Sequence, residues 1–182
     1  TNLDDIKCAA KFLAYNFKEP EIIIGHSLGG AAALYSAAEL DCIKAVATIG
    51  APFQPEHVKN LFEDSLEEIK RKGAAIISVD NRLFTIKRHF IEDISARDTE
   101  EMIKKFRKAL LILHSPQDEV VEIKNAASLY QAARHPKSFV TLDGANHMLN
   151  NKEDAKYVGQ LIASWTKRYI ANYERKRLYT HK

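Results

Sequence analysis

Residues 22–40 read IIIGHSLGGAAALYSAAEL, and the break in the middle of this stretch decides the fold. Ile22, Ile23 and Ile24 form a short apolar, β-branched run, the pattern of a buried strand. The run stops at Gly25-His26-Ser27-Leu28-Gly29-Gly30, and an alanine-rich helical pattern occupies Leu28 to Leu40. A strand that turns directly into a helix lifts the residue at the bend, Ser27, clear of the sheet. The bend strains the backbone there, and bulky side chains two positions away would collide, so Gly25 and Gly29 fit the geometric demand. The helix also aims its N-terminus at the serine. Its unbonded N–H groups favour negative charge, which makes the Leu28 N–H a natural oxyanion donor. Ala31 and Ala32 let the helix lie close to the strands.

Further along, three more apolar runs read as buried parallel strands, so that the set is Glu21 to Gly25, Lys44 to Gly50, Ala109 to His114 and Ser138 to Leu142. Amphipathic helices separate or follow them. One is marked by Ile123, Ala126, Ala127 and Tyr130, and the last by Val158, Leu161, Ile162, Trp165 and Tyr169. Strands alternating with helices specify a parallel α/β sheet. The chain also opens on a helix. Asn2 is placed as its N-cap, and Leu3, Ile6, Ala10, Leu13 and Phe17 mark one face.

Residues 53–108 break this rhythm and read as an insertion within a single domain spanning residues 1–182. Phe62, Leu66 and Ile69 give a short helix, with Glu67/Arg71 and Glu68/Lys72 pairs on its wet side. Ile76 to Val79 and Arg82 to Ile86, separated by Asp80-Asn81, specify a hairpin. Asp98 then caps a helix carrying Met102, Ile103 and Phe106, with Glu101 as its capping-box partner.

Bulk properties exclude several functions. The net charge of +3 is too small to imply a nucleic-acid or membrane partner, and no apolar run approaches the roughly 20 residues of a membrane span. No signal-peptide pattern is present, so the expected location is cytoplasmic. Cys8 and Cys42 lie far apart without metal-ligand spacing and read as buried free thiols. The charged run Glu174-Arg175-Lys176-Arg177 reads as a solvated helix end.

A serine at such a bend needs a base, and the base needs an orienting acid. In a parallel sheet both are expected beyond the carboxyl ends of later strands. His147 lies in the Gly-containing loop after the fourth strand, and Asp118 in the turn after the third, with Glu119 and Asp143 as close competitors for the acid. The chain order Ser27, Asp118, His147 is that of a nucleophile-elbow triad. His26 precedes the serine and reads as structural, pointing away from the site. His114 ends a strand and is placed to support the Asp118 turn. His57, His89, His135 and His181 carry no pattern.

The segments GHSLGGAAAL (25–34), AVATIGAPFQPEHV (45–58), HSPQDEVV (114–121) and HPKSFVTLDGANHML (135–149) together resemble the α/β-hydrolases. The likeness is to a bacterial branch in which the hydrolase domain is often fused to an osmotically inducible (OsmC-type) domain. It runs from about Leu3 to Tyr169 and carries Ser27, Asp118 and His147 over by position. It implies a serine hydrolase of carboxylesterase type acting on a small-molecule acyl substrate, with no metal or organic cofactor. A hydrolase-like scaffold used only for binding, and thioester, peptide or perhydrolysis chemistry on the same triad, are the competing expectations.

That family's sheet has eight strands, and the pattern here matches its last four. The earlier part would supply the second oxyanion N–H, whose loss costs about 10²- to 10³-fold in rate. It would also cover the strand Glu21 to Gly25, which otherwise becomes an exposed edge open to self-association. With Thr1 in place of an initiating methionine, the expectation is a piece of a larger protein. The family also places a cap after the strand ending at Gly50. Residues 53–108 fall there, with Phe53, Phe62, Leu66, Phe84 and Phe90 as candidates to line an acyl pocket or the core.

Overall fold

A computed structural model of the chain describes residues 2–54, 65–79, 82–88 and 98–179. Its main sheet holds four parallel strands in the order β1 (Ile22–His26), β2 (Ala45–Ile49), β5 (Ala109–His114), β6 (Lys137–Thr141). A separate antiparallel hairpin, β3 (Ala74–Val79) with β4 (Arg82–Lys87), lies in the insertion. The helices are α1 (Asn2–Asn16), α2 (Leu28–Glu39), α3 (Leu66–Lys72), α4 (Thr99–Lys105), α5 (Lys124–Ala132) and α6 (Lys152–Tyr179).

The two central strands are buried along nearly their whole length, as continuous apolar runs require. Alternate residues feed two cores. Val46, Leu110 and Ile112 meet Ala33, Leu34 and Ala37 of α2, Ile103 of α4, and Ala126 and Leu129 of α5. Ala47, Leu111 and Leu113 meet Val158 and Ile162 of α6. Helices therefore cover both faces, and the alanines of α2 let it sit close to the sheet. The outer strands are less buried than the sequence suggests. Ile24 in β1 is 55% exposed, and no residue of β6 is fully buried.

The hairpin forms in the expected register, with Val79 opposite Arg82, while its turn at 80–81 lies outside the described residues. Asp98 caps α4 through its carboxylate, which accepts the Glu101 N–H at 3.0 Å. Glu101 does not complete the reciprocal box, because its carboxylate is taken by Lys105 at 2.6 Å. On α3, Glu68 pairs with Lys72 as expected, but Glu67 pairs with Lys70 rather than Arg71. The end of the insertion is a core element. Ile103 and Phe106 are buried under the sheet, and the Tyr35 and Thr99 hydroxyls, 2.5 Å apart, tie α4 to α2. A parallel β2-to-β5 connection needs such a crossover helix. Phe53 packs against the same core, whereas Phe62 and Phe90 lie outside the described residues.

Three smaller expectations are corrected. On the face assigned to the first helix, Leu3 and Ala10 are buried, but Leu13 is 39% exposed and Phe17, just past the end of α1, is 76% exposed. On α5, Leu129 is buried and Ala127 is exposed. Cys8 is exposed, and Cys42 is half-buried against the core rather than within it; burial pushes the Cys42 thiol above its ordinary value. Among the described residues no helix is long and apolar enough to cross a membrane.

Candidate active site

The register of the sheet brings the candidate residues to one edge. Gly25 pairs with Thr48 and His26 with Ile49, so the next residues, Ser27 and Gly50, leave β1 and β2 side by side. The Ser27 N–H donates to the Ile49 carbonyl at 2.8 Å, which seats the serine at the end of β2. Leu113 pairs with Ile49 in turn and with Val140 on its other side. The turn holding Asp118 and the loop holding His147 therefore leave from the same edge.

Ser27 has φ 54° and ψ −129°, a conformation that costs a non-glycine residue about 1–3 kcal/mol. It occupies the N-cap position of α2, yet its hydroxyl makes no capping hydrogen bond, so Oγ is not spent on the helix. With its own N–H committed to Ile49, Ser27 is not an oxyanion donor. The Leu28 N–H belongs to the first turn of α2, where the helix itself provides no acceptor.

The two elbow glycines are not equivalent. A Cβ on Gly25 would lie 2.2 Å from the Gly29 carbonyl oxygen and 2.6 Å from the Gly30 Cα. Gly25 is required. A Cβ on Gly29 would meet nothing within 4 Å, because that position faces solvent at the start of α2. The second close approach falls on Gly30, where a Cβ would sit 2.6 Å from that of Ala51. The strand packs against the backbone of Gly29, so the expected collision there falls on the other partner.

Asp118 and His147 meet. The His147 Nδ1–H donates to Asp118 Oδ2 at 2.8 Å, and both side chains are almost wholly buried. Asp118 Oδ1 accepts the N–H groups of Val120 at 2.9 Å and Val121 at 2.8 Å. Burial pushes this carboxyl up, but the His147 hydrogen bond, the Val121 and Val120 N–H groups and the His147 charge outweigh it, so its pKa lies below the ordinary value. The competitors Glu119 and Asp143 are both exposed. With Nδ1 donating, His147 Nε2 is left as a proton acceptor.

His114 supports this turn as expected. Its Nε2–H donates to the Val121 carbonyl at 2.7 Å and lies 3.5 Å from Asp118 Oδ2. Gln117 links the turn to the base loop by accepting the Gly144 N–H at 2.7 Å. Two residues have roles that the sequence did not disclose. Gly50, at φ +54°, lies against the acid–imidazole pair; a Cβ there would be 3.1 Å from Asp118 Oδ2 and 3.3 Å from His147 Nδ1. His26 does not point away. Its Nε2–H donates to the His147 carbonyl at 2.7 Å, and the two rings lie 4.8 Å apart. A cavity of about 520 Å³ opens beside His147, lined by Gln117, Glu119, Val120, Gly144, Ala145 and Asn146.

Known proteins share this fold. Residues 4–163 match the model of an uncharacterised protein family, UPF0227. Among solved structures, an esterase domain from Rhodothermus marinus is 44% identical, with a TM-score of 0.83 over 93% of this chain and 70% of that one. Est1E from Butyrivibrio proteoclasticus, solved with ferulic acid, is 23% identical, with a TM-score of 0.72 over 93% of this chain and 68% of that one. Mouse alpha/beta hydrolase domain-containing protein 10 is 18% identical, with a TM-score of 0.63 over 89% of this chain and 68% of that one. No curated protein matches the sequence. The likeness thus extends over the sheet, the elbow and the loops that carry Asp118 and His147, and the chain belongs to the UPF0227 family and has the α/β-hydrolase fold.

Proposed function

We propose that the chain carries the catalytic centre of a serine esterase acting on small acyl substrates, with Ser27 as nucleophile, His147 as base and Asp118 as the acid that orients it. The observation that carries this reading is the buried 2.8 Å His147–Asp118 hydrogen bond at the sheet edge where Ser27 is held at φ 54°. Likeness to the 44%-identical esterase domain supports the class of reaction.

In this mechanism His147 Nε2 takes the Ser27 hydroxyl proton as Oγ attacks the acyl carbon. The tetrahedral oxyanion is held by the Leu28 N–H at the positive end of α2. His147 then returns the proton to the leaving alcohol, giving an acyl-enzyme that water hydrolyses by the same steps in reverse order of partners. Asp118 keeps the imidazole in the Nδ1–H tautomer and stabilises its charged form. Residues 53–108 are proposed as a cap over this centre, their α4 end excepted.

Intact-mass analysis after fluorophosphonate treatment tests the reading. One adduct on the parent, absent from Ser27→Ala, is the expected result. An adduct that persists in Ser27→Ala, or none on a folded parent, would overturn it.

A further inference from the structure

We infer that His26 is a positioning residue for the base: it fixes the backbone and the ring plane of His147 relative to the nucleophile beside it in sequence. The inference rests on the proposed roles of Ser27, Asp118 and His147 and adds one residue to them.

A base must be held at two points. Asp118 anchors the Nδ1 end of the His147 ring at 2.8 Å, but one hydrogen bond leaves the ring free to swing about it. The loop that carries the ring is sharply bent, with Gly144 at φ +82° and Leu149 at φ +50°. Gln117 holds the loop at the Gly144 N–H, three residues before the base. At the base itself, the His147 carbonyl accepts the His26 Nε2–H at 2.7 Å, a bond across 121 residues of sequence. A carbonyl oxygen can only accept, so this nitrogen of His26 carries hydrogen. The His26 ring also lies against the His147 ring, at 4.8 Å between centroids and 45° between planes. That contact restricts the ring rotation which the Asp118 bond leaves open.

His26 is the last residue of β1, and Ser27, the next residue, is pinned to β2 through the Ile49 carbonyl. Ser27 is thereby linked to His147 through the adjoining His26, its side chain and one hydrogen bond. Placement of this kind governs the rate, because a 1 Å misplacement of reacting groups costs about 10²-fold.

Three substitutions test this in the full protein: His26→Gln, whose amide nitrogen reaches about as far as the imidazole Nε2 and can donate; His26→Asn, which donates but is too short; and His26→Leu, which fills space without donating. For each, kcat and KM on p-nitrophenyl acetate, the fluorophosphonate labelling rate and the melting temperature are measured beside the parent and Ser27→Ala. The expected result is a fall of about 10- to 100-fold in kcat and labelling for Leu and Asn, with KM within about twofold, and recovery to within about threefold of the parent for Gln. A Leu variant as fast as the parent, with Ser27→Ala dead, would overturn this inference alone. So would equal losses in Leu, Asn and Gln that follow the melting temperature, which is the pattern of a residue that only stabilises the fold. Turnover persisting in Ser27→Ala would overturn the nucleophile assignment and, with it, the role of His26.

Discussion

The carboxyl edge of the main sheet and the flank formed by α1 and β1 share a strand and are built in opposite ways. At the edge the groups that hold the site in place have fixed partners: Ser27 N–H on Ile49, Asp118 on His147, Val120 and Val121, and His26 on His147. Along the flank, large apolar side chains face outward, with Tyr15 90%, Phe17 76%, Phe12 59% and Ile24 55% exposed. His26 and Ile24 are two residues apart on β1. One is held at the site and the other is left on the surface. Hydrogen bonds with one acceptable geometry tolerate little change, whereas an exposed side chain makes few contacts to lose.

Substitutions at the two regions sharpen this contrast. The largest effect is expected from Asp118→Asn, which keeps an acceptor for Val120 and Val121 but no longer fixes the His147 tautomer. Esterase turnover should fall by about 10⁴-fold. The same variant tests the pH dependence of stability. The folded-state pKa of Asp118 is lowered, chiefly because the His147 and Val121 hydrogen bonds overcome the opposing effect of burial. Its contribution is therefore complete above the unfolded value of about 4 and is lost as pH falls through the lower folded value. Urea midpoints for the parent should drop below about pH 4 by more than those of Asp118→Asn; parallel profiles would refute the lowered pKa.

Gly25→Ala comes next. Its Cβ would lie 2.2 Å from a backbone oxygen that cannot move aside as a side chain would, so a loss of about 3 kcal/mol is expected in denaturant unfolding. Gly29→Ala is the control, expected within about 0.5 kcal/mol of the parent. Gly50→Ala should be milder for folding and more selective for activity. Its Cβ meets the acid–imidazole pair at 3.1 and 3.3 Å in a left-handed backbone, and about 10- to 100-fold in kcat is expected to go for about 1–2 kcal/mol of stability. A kcat equal to the parent would show that the pair shifts without consequence.

The smallest effects belong to the flank. Phe17→Ser and Ile24→Thr should each change the stability of this chain by no more than about 0.5 kcal/mol and leave turnover unaltered. A loss above 1 kcal/mol in either would mean that the outward-facing side chains are covered in solution, and the contrast between edge and flank would fail.

Much of the fold was legible because its signals are local. The strand-to-helix break at Gly25 and Ser27, the buried runs of β2 and β5 and the Asp98 cap are each written within a few consecutive residues. The competition among Asp118, Glu119 and Asp143 had no local answer. All three sit in turns, and only Asp118 is buried with its carboxylate on His147. The side chain of His26 has no local answer either. Its neighbours in sequence put it beside the serine, but its hydrogen-bond partner is 121 residues away. The spacing points to Gly29, yet the clash at the elbow is with its backbone, and the side-chain position that must stay empty is that of Gly30. The apolar face of α1 is only partly covered; periodicity records which face is apolar, not how much of it a neighbour covers.

By itself the amino-acid sequence determined the alternation of strands and helices, the strained serine between them and the order of acid and base along the chain. These follow from backbone stereochemistry and hydrophobic period, which act over one or two turns. The tertiary structure alone decided which carboxylate meets the imidazole, why Gly50 has no side chain and which way His26 points. Those are contacts between residues at the strand ends 29 to 121 positions apart in sequence, and they exist only after β1, β2, β5 and β6 have aligned in register.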